Sequence, residues 1–481
     1  MTSLHAPHGG TIRMTRAGWM CAAMLLGSSL PAAPLNPADM SGSGNFCPEI
    51  YRDQKAKTGT DVIAAQIRAL RAAGGRRCRV NIYEYWRNGR PLADTPELDY
   101  ILKSLHAGGI TPMVLFEYYG KQPGGRAKWL AIGEAFARRW RPNSEYLVGQ
   151  GIRDWGISVY SAMNEPDGDR EKGMARTPAD EAAKKLADPK GRYDGNYHDV
   201  LEALADGVHG VDATLAVIPG GFLGLNRDGN ATCHGFGTAI ADLLNNGKLD
   251  GIDLHTYNDN QWAPIVKSPT NVYFEFSPQA NFDAFKRACG IKADINFYAT
   301  EYGFKANSKE NGRTITPEEA ALGQLTCLWA NLGVVKGDGT PATVFALTWN
   351  LFNTEATDPV YGMCRVLDPW QPTPKGRMFQ AVMQLTAGMV LTHLDPKGRG
   401  EYVLEGGGRK LWVWQDYPKW STVAGTSYTV TGLPAGTKQV QVYDGRGWDG
   451  PARTVAVPDG ATTVTVDGLA PLGTYLFLAV P

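Results

Sequence analysis

Between Ile63 and Trp349 the sequence alternates helix-like and strand-like segments, and this alternation limits the possible folds more than any other feature. Ile63, Ile67 and Leu70 recur at helical spacing, and Gly74-Gly75 ends that run. A strand-forming stretch from Cys78 to Tyr83 follows. The same order then repeats. Helical periodicity through Leu98, Leu102 and Leu105 precedes Pro112–Phe116, and Trp129 to Trp140 precedes Gly156–Tyr160. Tyr197 to Val211 precedes Leu215–Ile218, Ile240 to Leu244 precedes Ile252–Tyr257, and Phe282 to Cys289 precedes Ile295–Thr300. Thr316-Pro317-Glu318-Glu319 supplies an N-cap, a proline at the first helical position and a capping-box glutamate. The buried face of that helix carries Leu322, Leu325, Trp329 and Leu332, and Ala342 to Trp349 closes the series as a strand. Repeated strand–helix units predict an α/β fold, a closed (β/α)8 TIM barrel. An open doubly wound sheet is the competing arrangement, but no G-x-G-x-x-G follows the early strands. The first barrel strand has the weakest signal and is expected around Phe46 to Tyr51.

After Thr386 the periodicity changes to two. Trp412 and Trp414, Val440 and Val442, Val455 and Val457, and Val464 and Val466 alternate between glycine-rich turns, which predicts a C-terminal all-β sandwich. The expected organisation is an export signal over 1–33, a Pro/Gly/Ser-rich linker over 34–45, a catalytic barrel over 46–385 and a β-sandwich over 386–481. Arg13 and Arg16 before the apolar run Ala17–Leu30, with Pro31-Ala32-Ala33 after it, have the parts of a secretory signal. That run is short and broken by Gly27, Ser28 and Ser29, so no membrane insertion is expected. The protein is therefore expected to be secreted or periplasmic. Outside the signal lie Cys47, Cys78, Cys233, Cys289, Cys327 and Cys364, whose number permits disulfides without selecting a pairing.

Lys+Arg and Asp+Glu both number 48, so charge balance gives no reason to expect nucleic acid as a partner. The 13 Trp and 20 Tyr suit stacking against sugar faces, though many must serve the core. No phosphate-binding loop or metal-ligand spacing is present, and no cofactor or metal is expected.

Two glutamates stand out by position. Glu165 ends the strand through Val159, within Ser161-Ala-Met-Asn-Glu-Pro166, and Glu301 ends the strand through Phe297, within Ala299-Thr-Glu-Tyr-Gly303. In a parallel barrel both reach the C-terminal rim, where catalytic side chains gather. Cleavage of a glycosidic bond needs such a pair, one acid to protonate the departing oxygen and one carboxylate to attack or activate water. Further rim candidates are Tyr83, Glu84 and Trp86 after the second strand, and Glu117, Tyr118 and Tyr119 after the third. The charged segment from Asp167 to Asn196 reads as a loop that shapes the cleft.

Asn164-Glu165-Pro166 at the end of a fourth strand resembles the acid/base motif of the clan A glycoside hydrolases. Glu301 matches their nucleophile position at the end of the seventh strand. Arg79 on the second strand, His255 and Tyr257 on the sixth, and Trp349 at the end of the eighth agree with the same pattern. The resemblance covers roughly Cys78 to Asn350. It implies that Arg79 and Tyr257 support the nucleophile, that Asn164 binds the sugar 2-hydroxyl and that Trp349 underlies the reacting sugar. Each also has a plain structural explanation: His255 as a core histidine, Arg79 as an ion pair, Trp349 as core filling. A barrel followed by a sandwich looks most like glycoside hydrolase family 39, with families 5, 30 and 79 as neighbours. The resemblance thus implies a retaining β-glycosidase acting on a polysaccharide or oligosaccharide, such as an exopolysaccharide hydrolase or β-xylosidase. An endo-β-glucanase of the family 5 kind is the runner-up, and a glycan-binding protein on the same barrel is the non-enzymatic alternative. The sandwich could itself bind carbohydrate through Trp412, Trp414, Trp420 or Trp448. Oligomeric state is not readable.

Overall fold

The computed structural model describes residues 36–118, 123–168, 173–190, 193–223, 231–257, 265–268, 271–273, 278–306, 309–310, 313–352, 361–394, 400–415, 426–470 and 473–481. The expected export signal, Tyr119 and Trp420 lie outside these residues.

Eight parallel strands form a barrel: β1 (Ser41–Phe46), β2 (Arg77–Ile82), β3 (Thr111–Phe116), β4 (Val159–Ala162), β5 (Ala216–Pro219), β6 (Gly251–Asp253, resuming at Thr256–Tyr257), β7 (Asn296–Gly303) and β8 (Thr343–Thr348). They pair in the order β5-β4-β3-β2-β1-β8-β7-β6. The remaining seam, between β5 and β6, is closed by a parallel bridge between Phe222 and Leu254. There the Phe222 N–H donates to the Asp253 carbonyl at 3.0 Å, and the His255 N–H to the Phe222 carbonyl at 2.9 Å. Inside the barrel, Met113, Val159, Ile218, Tyr298, Phe345 and Leu347 pack as one apolar layer. That layer fills the lower barrel and leaves the upper end to polar side chains.

A principal helix follows each strand: α1 (Val62–Ala73), α2 (Pro96–Ala107), α3 (Arg126–Trp140), α4 (Tyr197–Val211), α5 (Ala231–Ala239), α6 (Pro278–Cys289), α7 (Pro317–Leu332) and α8 (Pro374–Leu385). Helix α7 starts with the full capping box, the Thr316 hydroxyl accepting from the Glu319 N–H and the Glu319 carboxylate from the Thr316 N–H.

The first strand corrects the sequence reading. Residues 37–45 do not form a linker, and the strand is not at 46–51. A helical turn at Pro37–Met40 leads into β1 at Ser41–Phe46, and Pro48–Thr58 is helical. The reason is steric. Ser-Gly-Ser-Gly has no apolar periodicity, yet a Cβ on Gly42 would sit 1.7 Å from the Arg77 carbonyl oxygen. Small residues let β1 approach β2 closely, and small residues look like linker in sequence. The segment from Asp167 to Asn196 also contains more than loop, since Pro178–Ala187 is helical.

Beyond α8 lie eight antiparallel strands: β9 (Val390–Leu394), β10 (Glu401–Gly406), β11 (Arg409–Gln415), β12 (Thr426–Thr431), β13 (Gln439–Asp444), β14 (Arg453–Ala456), β15 (Thr463–Leu469) and β16 (Thr474–Val480). Six make one sheet, ordered β9-β10-β11-β16-β13-β14, and β12 pairs with β15 in a second. Their shared core includes Trp412, Phe477, Val440 and Val442 from the first sheet and Val430 and Val466 from the second. Trp412 is buried there, and Trp414 stacks on Tyr428 at 5.1 Å between centroids. Trp412 is therefore committed to the core, and the half-buried Trp414 packs against it. Trp448 donates its ring N–H to the Gly445 carbonyl at 3.2 Å. The sandwich rests on α7. Tyr402 stacks on Trp329 at 5.8 Å, the Gln415 amide donates to the Thr326 carbonyl at 3.0 Å, and the Thr326 and Thr474 hydroxyls lie 3.0 Å apart. The six cysteines named above are all buried thiols. Among the described residues, no helix is long and apolar enough to cross a membrane.

Candidate active site

Polar side chains converge at the C-terminal end of the barrel. Arg79 and Asn81 face inward from β2 at period-two spacing, and both are buried. The Arg79 guanidinium donates to Glu301 Oε1 at 2.5 Å and to the Asn81 side chain at 2.9 Å. Asn81 in turn donates to Glu117 Oε1 at 2.8 Å, so Glu117, at the end of β3, joins the network three hydrogen bonds from Glu301. The second oxygen of Glu301 accepts from the Tyr257 hydroxyl at 2.6 Å.

Burial alone would raise the Glu301 pKa, but the nearby His255 and Arg79 and the hydrogen bonds from Tyr257 and Arg79 outweigh it. Glu301 is held below the usual carboxylate range. Arg79 is fixed in its charged form, its desolvation offset by Glu301 and Glu117. A buried carboxylate kept ionised in this way is a poised nucleophile.

Glu165 sits differently. It is more open than Glu301, with 28% of its side chain accessible against 5%. Its backbone is left-handed (φ 49°), as is that of Met163 (φ 66°). Two non-glycine residues in that region within three positions store of order 1–3 kcal/mol each, and such residues cluster where a side chain must be aimed. The turn delivers the carboxylate to His255, whose Nδ1 lies 2.8 Å from Glu165 Oε1 and 3.5 Å from Glu301 Oε2. Oxygens of the two glutamates and the imidazole nitrogen lie within 4.8 Å of one another. Three such atoms could hold a metal ion, but Arg79 already neutralises Glu301. The His255 pKa, moreover, is pushed up to about 9, its own desolvation outweighed by Glu301, Glu165 and Asp253.

Asn164 is buried beside this pair, and the Arg79 guanidinium approaches its side-chain oxygen at a long 3.5 Å. Trp349 is half-buried at the end of β8 with the Arg79 guanidinium 5.8 Å from its ring centre. The Trp349–Asn350 peptide is cis. Tyr118 follows Glu117 and is half-buried. Trp86 sits in a short hairpin that pairs it with Pro91, and no hydrogen bond among the described residues ties it to the glutamates. Glu84 pairs with Arg52 and Arg87 at the surface, and Tyr83 is exposed.

Three site residues escaped the sequence reading: Asn81, which links Arg79 to Glu117, Asp253 and Thr300. Asp253 accepts from the Thr300 N–H at 2.9 Å and from the Thr300 hydroxyl at 2.5 Å. The Thr300 hydroxyl also meets His255 Nε2 at 3.0 Å and Arg79 at 3.2 Å. Asp253, His255 and Tyr257 share one strand face at period two, a signal that was available. Thr300 was hidden. Adjacent strand residues normally face opposite ways, but the β7–β8 register shifts between Ala299 and Tyr302. The extra residue lets Thr300 and Glu301 both serve the site. Gly221 matters as well, because a Cβ there would come 2.0 Å from the His255 ring.

No family model and no curated protein matches the chain. Solved structures do share its fold. A glucosidase from Croceicoccus marinus aligns with TM-score 0.56 and 15% identity, over 93% of this chain and 97% of that one. A family 51 α-L-arabinofuranosidase from Bifidobacterium longum aligns with TM-score 0.51 and 13% identity, over 93% and 97%. A GH86 protein solved with neoagarooctaose aligns with TM-score 0.52 and 11% identity, over 92% and 75%. At these identities the likeness is one of fold.

Proposed function

We propose that this protein is a retaining β-glycoside hydrolase of clan A, acting on an oligosaccharide or polysaccharide by double displacement. The observation that carries the reading is the pairing of Glu165 and Glu301, with oxygens within 4.8 Å, at the ends of β4 and β7. Retaining enzymes hold their carboxyl groups about 5–5.5 Å apart, too close to admit the water an inverting enzyme needs between them. The electrostatics divide the work. Glu301, ionised by Arg79 and His255 and held by Tyr257, attacks the anomeric carbon. Glu165, more open and bonded to His255, protonates the departing oxygen and then takes a proton from the water that releases the sugar. In this reading Asn164 holds the sugar 2-hydroxyl, and Trp349 lies under the ring. Glu117, Tyr118 and Trp86 lie along the β2–β3 side, where neighbouring sugars would run.

Within the clan, the finer proposal is a family 39-like enzyme, read from the barrel-plus-sandwich plan, that is exported and cleaves a bacterial exopolysaccharide or a β-xyloside. The test is a screen of β-linked aryl glycosides, α-L-arabinofuranosides and exopolysaccharides, with the first-formed anomer followed by NMR. Retention of configuration and labelling of Glu301 by a 2-fluoro sugar are expected. Inversion, or binding with no turnover of any glycan, would overturn the reading in favour of a different mechanism or a non-catalytic glycan-binding protein.

A further inference from the structure

A threonine hydroxyl has one proton to give and two lone pairs with which to accept. The Thr300 hydroxyl meets three groups: Asp253 Oδ2 at 2.5 Å, His255 Nε2 at 3.0 Å and the Arg79 guanidinium at 3.2 Å. Arg79 has only protons to donate, and an ionised Asp253 can only accept. The Thr300 proton therefore goes to Asp253, whose other oxygen is fixed by the Thr300 N–H at 2.9 Å. Both lone pairs of Thr300 are left to accept, one from Arg79 and one from His255. It follows that His255 Nε2 carries a proton.

The opposite ring nitrogen is then constrained. Nδ1 lies 2.8 Å from Glu165 Oε1, and it either donates to an ionised Glu165 or accepts from a protonated one. One proton occupies that contact in either case. We infer that Thr300, backed by Asp253, is a positioning residue for the acid/base, fixing the Nε2–H of His255 so that Nδ1 and Glu165 share a single transferable proton. This inference rests on the hydrolase reading of Glu165 and Glu301.

The surroundings of His255 fit the role. Glu165 faces it from β4, Glu301 from β7 and Asp253 from its own strand, while Arg79 reaches it from β2 through Thr300. Gly221, beyond β5, lets the ring lie where a Cβ would otherwise sit, 2.0 Å from it. The carboxylates outweigh desolvation, which keeps the shared proton bound across neutral pH. Burial pushes Asp253 up to about 6. Once protonated, Asp253 can either donate to Thr300 or accept from it, so the direction of that hydrogen bond is no longer fixed.

Proton accounting closes over one turnover. In the first step the C1–O bond breaks, a bond from Glu301 to C1 forms, and the shared proton leaves on the departing oxygen. In the second step water attacks C1, the Glu301–C1 bond breaks, and a water proton returns to the Glu165–His255 pair.

The experiment compares Thr300→Val, Thr300→Ser and Asp253→Asn with wild type on two β-glycosides, one with an alkyl and one with a dinitrophenyl leaving group. General acid assistance matters for the first and little for the second. Thr300→Val is expected to lose about 100-fold in kcat/KM on the alkyl glycoside, several-fold on the activated one, and to move the pH profile. Thr300→Ser, which keeps the hydroxyl, restores both. Equal losses on the two substrates with an unmoved pH profile would reduce Thr300 to a structural residue. A second measurement needs no substrate. The ¹⁵N resonances of His255, assigned by their loss in His255→Gln, should show a protonated Nε2 at pH 7. An unprotonated Nε2 overturns the inference. Failure of wild type to cleave any glycan sinks the hydrolase reading instead, and the nitrogen resonances still decide the tautomer.

Discussion

Arg79 and Glu301 form an ion pair at 2.5 Å with side chains only 1% and 5% accessible, inside a ring of strands. Neither charge could stay there alone. Arg79→Met should therefore destabilise the fold by about 3–5 kcal/mol, because it strands a buried carboxylate. Arg79→Lys should fold better yet remain nearly inactive, since an ammonium cannot serve Glu301, Asn81 and Thr300 together. Urea unfolding with parallel rate measurements separates the two variants.

Tyr257 holds the other oxygen of Glu301, and that hydrogen bond helps keep Glu301 ionised. Removing it in Tyr257→Phe raises the Glu301 pKa, so the acid limb of the kcat/KM profile moves to higher pH. The loss of stability should be about 1 kcal/mol. An acid limb that stays in place would show that Arg79 and His255 set the ionisation without help.

His255 gives the protein a pH-dependent stability. Its pKa is pushed from 6.5 to about 9, so between those values the folded chain binds a proton the unfolded chain does not. The contribution is complete below about pH 6.5 and disappears as pH rises through about 9. Asp253, pushed from 3.8 to about 6 by burial, acts in the same sense at lower pH, adding stability as the solution is acidified through that window. Glu301, held low, opposes it in acid. Melting temperature should fall between pH 7 and 9.5 in wild type and fall less in His255→Gln.

Gly221→Ala tests how tightly the imidazole is held. The new methyl would lie 2.0 Å from the ring, so His255 must shift. About 1–3 kcal/mol of stability is expected to go, with a larger proportional loss of kcat than of substrate affinity. Calorimetry and steady-state kinetics on one preparation check both.

The barrel was readable because seven of its strands carry apolar side chains at strand period and their helices announce starts and stops, as Thr316 and Glu319 do. Strand β1 was not readable, because its packing depends on the absence of a side chain at Gly42. The glutamates were legible from their strand ends. Thr300 was not, since a one-residue bulge decides which way it faces and no local pattern encodes that bulge. A sugar-binding role for Trp412 and Trp414 stayed open for the opposite reason: composition showed the rings but not the second sheet that packs on them.

Strand β1 also sets the order in which the molecule can be completed. Ser41, Gly42 and Ser43 pair with Ala346, Leu347 and Thr348 on one side and with β2 on the other. The ring thus joins the start of the barrel to a segment translated some three hundred residues later, a contact of very high sequence separation. Until β8 leaves the ribosome, β1 and β7 each keep an open edge, and the strand bearing Glu301 lacks its neighbour. A nascent chain stalled before Thr343 should therefore hold Glu165 and Arg79 in their strands and still be without a working site.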